Sequence, residues 1–102
     1  MFDSGLEYVP GDPVTVRVVE RAVHDGVRTV SVTDDSAAAQ RAGRRAGWRS
    51  VGERVADELL VNVGRDGAIS LPVVRVGPGQ DAIAKRIAAA SLALYQELLE
   101  LE

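Results

Sequence analysis

Two carboxylates stand side by side at Asp34-Asp35, where an alternating Val/Thr run gives way to Ser36-Ala37-Ala38-Ala39. Acids at the end of a strand are how Mg²⁺-dependent nucleases and phosphatases hold their metal, because a hard cation takes hard oxygen ligands. Such a metal needs more ligands, and Glu20, Asp57 and Glu58 are the acids available, with no spacing that selects among them. Neighbouring strand residues also face opposite sides, so only one Asp could easily face a site. The same residues have a simpler use. Asp and Ser are favoured N-caps, and negative charge is favourable at a helix N-terminus. Capping by Asp34 or Asp35 is the preferred reading, and a metal-dependent hydrolase using Asp34 and Asp35 is a rival.

The arginines offer a second chemistry. Residues 36–54 hold five Arg against one Glu in a chain whose net charge is −3. Arg41, Arg44 and Arg45 share a helix face by their spacing, and Trp48 and Arg49 follow. Such a strip could contact phosphates while Trp48 stacks on a base, which makes a nucleic-acid binder the alternative function. Helix, Gly47 stop and second helix even have the outline of a helix-turn-helix. Against this, the second helix carries Glu53, Asp57 and Glu58, unwelcome in a major groove. A solvated basic face, with Trp48 as a core plug, is preferred.

Other chemistry is thinly supplied. There is no cysteine, so disulfides, thiol catalysis and cysteine metal sites are excluded. His24 is the sole histidine, and one His cannot make a zinc site alone. It reads as a turn residue. Gly77-Pro78-Gly79 before a helix lacks the spacing of a phosphate-binding loop and reads as a linker. No cofactor and no catalytic residue are expected.

The elements that position these residues follow from periodicity. A chain of 102 residues, 46% hydrophobic, has room for one core. Residues 1–13 read as an irregular N-terminal segment broken by Gly5, Pro10, Gly11 and Pro13, and 14–102 as a single α+β domain. Val14, Val16 and Val18 alternate with polar residues, as do Val30 and Val32. His24-Asp25-Gly26 closes them into a hairpin that pairs Val18 with Val32, five valines on one face. Arg65-Asp66-Gly67 closes a second hairpin pairing Val63 with Ile69, Val61 with Leu71 and Leu59 with Val73. Pro72 lacks an amide proton, so a bulge or broken ladder and a position at or near a sheet edge are expected there.

Between the hairpins a helix is expected over 37–46, weakened by Gly43 and stopped by Gly47. Ser50-Val51-Gly52-Glu53 reads as a capping box opening a second helix with Val51, Val55 and Leu59 on one face. The last segment is a long helix capped by Asp81, with Ile83, Ile87, Ala90, Leu94 and Leu98 in one stripe. The architecture is two β-hairpins in one antiparallel sheet, order ββααββα, packed against helices.

This order of pieces resembles a family of small bacterial and prophage proteins known only as a domain of unknown function. The matching residues are Thr33-Asp34-Asp35, the stretch LLVNVGRDGAISLPV and the apolar helix from Ile83 to Leu99. Ser36 stands where that family tends to have Gly. The resemblance implies the fold and brings no activity with it.

The N-terminus shows neither the basic nor the apolar region of a signal peptide, and no run is long enough to span a membrane. A cytoplasmic setting is expected. Leu92, Tyr95, Leu99 and Leu101 lie partly outside the helix stripe. A helix about 30 Å long overhangs strands of about 20 Å. The expectation is a non-catalytic interaction or regulatory domain that binds a protein, as a homodimer or with another partner, through Leu92, Tyr95, Leu99 and Leu101.

Overall fold

The computed structural model describes residues 2–22, 28–44, 46–73 and 80–101. The fold is α+β: a five-stranded antiparallel sheet and three helices, the last of them long. Chain order is β1 (Phe2–Val9), β2 (Asp12–Ala22), β3 (Arg28–Thr33), α1 (Ala37–Ala42), α2 (Trp48–Leu59), β4 (Asn62–Val63), β5 (Ile69–Val73) and α3 (Gln80–Leu99). The sheet runs β1-β2-β3-β5-β4. Helix α3 packs on β1, β2, β3 and β5, and α1 and α2 pack on α3.

The N-terminal segment corrects an expectation. Residues 2–9 are a strand, paired to β2 with Val9 opposite Asp12. Pro10-Gly11, read as breakers, are the turn: Pro fixes its own φ and Gly11 takes φ +88°, which suits the second central position of a type II turn. The register is irregular between Asp3 and Val9. Ser4 mends part of it, its Oγ donating to the Val14 carbonyl and accepting from the Leu6 amide.

The β2–β3 register pairs Val18 with Val32, as the alternation implies. Val14, Val16 and Val32 are buried and Val30 is half-buried, while Val18 stands exposed. His24, Asp25 and Gly26 lie outside the described residues, as does Gly77-Pro78-Gly79. Val63 pairs with Ile69, but β4 is two residues long, Val61 precedes it and Leu59 belongs to α2, so neither the expected Val61–Leu71 pair nor the Leu59–Val73 pair forms.

Pro72 stays in the ladder opposite Ser31. The Asp34 amide donates to the Ile69 carbonyl, which places the hydrogen-bonded pairs at Asp34/Ile69 and Val32/Leu71. Pro72 therefore turns its missing donor away from β3. On its other side β4 reaches only as far as Ser70. The ladder to β3 needs no bulge, and β5 becomes a local edge where its proline sits.

The helices differ from expectation at their ends. Helix α1 stops at Gly43, whose φ of +84° ends it four residues short of Gly47. Helix α2 starts at Trp48 behind Gly47 in the left-handed conformation, so Ser50 lies inside the first turn and caps nothing. Asp81 likewise sits in the first turn of α3 rather than ahead of it. The stripe on α3 is as read: Ile87, Ala90, Leu94 and Leu98 are fully buried and Ile83 is half-buried. Truncating Leu94 to Ala should cost about 2–5 kcal/mol in urea unfolding, because the side chain is fully buried in the core.

Candidate functional site

Asp34 is the one acid buried among the described residues, at 3% exposure. It sits where β3 leaves the sheet. The Ile69 amide, which a regular ladder would pair with the Asp34 carbonyl, instead donates to Asp34 Oδ1 at 2.9 Å. The Asp34 carbonyl turns to accept from the Ala37 amide. Oδ1 also accepts from the Ser36 amide at 3.0 Å, and Oδ2 accepts from Ser91 Oγ on α3 at 2.7 Å. Ser91 is in turn 2.6 Å from the Tyr8 hydroxyl on β1. Since Ser91 donates to the carboxylate, Tyr8 donates to Ser91. The chain Tyr8–Ser91–Asp34 ties β1, α3 and the β3–α1 turn together.

Thr33 completes the turn. Its Oγ1 donates to the Ile69 carbonyl and accepts from the Asp35 amide. These bonds hold Asp35 and Ser36 at φ 59°, a left-handed conformation costing about 1–2 kcal/mol for each non-Gly residue. Ser36 thus takes the conformation Gly favours. It is the formal N-cap of α1 but makes no side-chain cap bond. The expected cap is therefore relocated: Asp34 reaches the first amides from two residues upstream, and Asp35 has no part in it. Asp35 points out and pairs with Arg17 at 3.3 Å, both side chains being exposed.

Burial pushes the Asp34 carboxyl above its usual range, and the bonds from Ser91, Ile69, Ser36 and Ala38 draw it partly back. Burial likewise raises the Tyr8 hydroxyl, opposed by the Ser91 bond. Asp34, Asp35, Arg17 and Gln40 line a cleft of about 220 Å³ between β2 and α1. Its one buried acid already has both oxygens occupied. Among the described residues no three His, Asp or Glu side chains group as a metal would require. Glu20, Asp57 and Glu58 are exposed, and none is a bonding partner of Asp34.

The arginine strip is divided. Arg41 turns towards β1 and β2, making two bonds to Asp12 at 2.7 and 3.1 Å and lying 4.6 Å over the Tyr8 ring. The bond to Asp12 raises Arg41 and lowers Asp12 from their ordinary values. Arg44 Nε donates to the Asp66 carbonyl in the β4–β5 turn. Arg49 sits 5.8 Å over the half-buried Trp48 ring. Arg45 lies outside the described residues.

The end of α3 is less bare than its length implies. Leu92, Tyr95 and Leu101 are half-buried against the core. Tyr95 meets Tyr8 edge to face at 5.2 Å, so the strand absent from the sequence reading supplies the cover. Leu101 comes within 4.0 Å of where a Cβ on Gly47 would lie. Leu99 remains 45% exposed. Among the described residues no helix is long and apolar enough to cross a membrane. No family model matches the chain, and comparisons with curated proteins and with solved structures return no match.

Proposed function

We propose that the chain is a non-catalytic binding domain that associates with a second copy of itself through the end of α3. The observation that carries the reading is Leu99, exposed at 45% where a helix otherwise packed on the core runs out. An exposed apolar side chain at the end of an element, continuous with apolar neighbours, is a surface that a two-fold contact can cover. Leu92, Tyr95 and Leu101 act beneath it as support, since each already packs on the core. Asp34 is consistent with this assignment, because its oxygens are spent on holding the turn. Kinship with the small bacterial and prophage family belongs to the same proposal, as does a cytoplasmic setting. The support for the kinship is the shared order of hairpin, helices, hairpin and long helix, with Thr33-Asp34-Asp35 at its turn.

Light scattering is expected to give about twice 10.8 kDa. Leu99→Glu is expected to bring the mass to that of the monomer without changing the circular dichroism spectrum. Leu92→Glu is not an equivalent test, because it puts a charge against the core. A monomer at every concentration, for both wild type and Leu99→Glu, overturns self-association.

A further inference from the structure

The start of α2 and the β4–β5 turn enclose a groove of about 210 Å³, lined by Trp48, Arg49, Glu53, Val63 and Arg65 among others. It is distinct from the Asp34 turn. We propose that this groove binds single-stranded nucleic acid, one base against Trp48 and the neighbouring phosphates on Arg44, Arg49 and Arg65. The proposal goes beyond self-association and uses other residues.

Size, shape and charge each point to that occupant. Pockets for whole small-molecule ligands run to about 300–1,000 Å³, so this one accepts a single flat group and leaves the rest of its ligand outside. The indole and the Arg49 guanidinium beside it are both planar surfaces on which a base can stack. Glu53 is the one acid among the lining residues, against Arg49 and Arg65. Arg44 is anchored at the same turn by one nitrogen, its Nε bonded to the Asp66 carbonyl at 2.8 Å. A polymer with flat bases and a charge at every step satisfies a one-ring groove rimmed by cations. A duplex hides its bases and satisfies only the charges. Arg41 takes no part, being committed to Asp12 and Tyr8.

Trp48 is the only tryptophan, so tryptophan fluorescence, excited selectively over Tyr8 and Tyr95, reports on this groove. The full chain is titrated at low salt with a twelve-nucleotide oligothymidylate, with a duplex of the same length and with heparin. The oligothymidylate is expected to quench Trp48 saturably. Affinity should fall with a log–log salt slope of about 2, three phosphate contacts at about 0.7 each. Arg49→Ala and Arg65→Ala should each weaken binding and lower that slope by about 0.7. Both sites are exposed, so neither change threatens the fold. Three results overturn the proposal: no quench at low salt, an equal quench by heparin or duplex, or binding that survives loss of both arginines.

Discussion

Replacing Asp34 with Ala is expected to be among the most damaging single changes, costing about 3–5 kcal/mol. Four donors aim at its two oxygens: the Ile69, Ser36 and Ala38 amides and the Ser91 hydroxyl. Alanine removes the acceptor from each, and a buried unpaired group costs about 1–3 kcal/mol. The Asp35 and Ser36 backbone strain then loses one of the bonds that maintain it, that of the Ser36 amide to Oδ1, while the Thr33 bonds remain. In a domain of ordinary stability, about 5–15 kcal/mol, that loss is a large fraction, readable as a fall in the urea midpoint.

Asparagine should behave differently. Its Oδ1 can keep the two amides, and its Nδ2 can donate to Ser91. It resembles the protonated acid, which burial favours relative to the unfolded chain, raising the Asp34 value above the unfolded one of about 3.9. Asp34 therefore contributes its full stability below about pH 3.9 and loses part of it as pH rises through the raised folded value. Asp12 runs the other way: Arg41 lowers it, so its contribution is present above its unfolded value and fades in acid. Asp34→Asn should stay within about 1 kcal/mol of wild type at pH 7 and should abolish only the first of these two trends.

Gly67→Ala is expected to destabilise by about 2–5 kcal/mol, read in the same urea experiment. Gly67 adopts φ +87°, which an L side chain resists at about 1–2 kcal/mol. Its added Cβ would also fall 2.5 Å from the Ala39 Cβ and 3.5 Å from Trp48 Cζ3. The Ala39 Cβ is fixed to the backbone of α1 and cannot rotate aside, so the turn or the helix must shift, at about 1–3 kcal/mol. Gly43→Ala, at φ +84° with open space around it, should show the conformational part alone.

The register of the first hairpin was legible because Val alternates with Thr and Arg, and because one slip would turn every valine outward, whereas only Val63–Ile69 of the second was. The α3 stripe was legible for the same kind of reason, at helical period. β1 was harder to read, because Ser4 and Gly5 interrupt it and Pro10-Gly11 resembles a break. Its usable signal was Leu6 and Tyr8 alternating with Glu7 and Val9, followed by a turn pair. The overhang expected of α3 assumed a sheet without this strand, and Tyr8 is the residue that covers Tyr95. The Asp34 site was half legible. Asp34 and Asp35 are conspicuous as a pair, but Tyr8 and Ser91 lie far off in sequence on separate elements, where no spacing rule reaches. Ser91 left one trace, as the lone hydroxyl inside an apolar stripe.

The central claim is that Asp34 ties the fold together and does no metal chemistry. Thermal melting of wild type and Asp34→Asn at pH 7, each with and without millimolar Mg²⁺, tests it most directly. The expected result is two similar melting temperatures that Mg²⁺ leaves unchanged. A wild-type melting temperature raised several degrees by Mg²⁺, with the rise lost in Asp34→Asn, would contradict it.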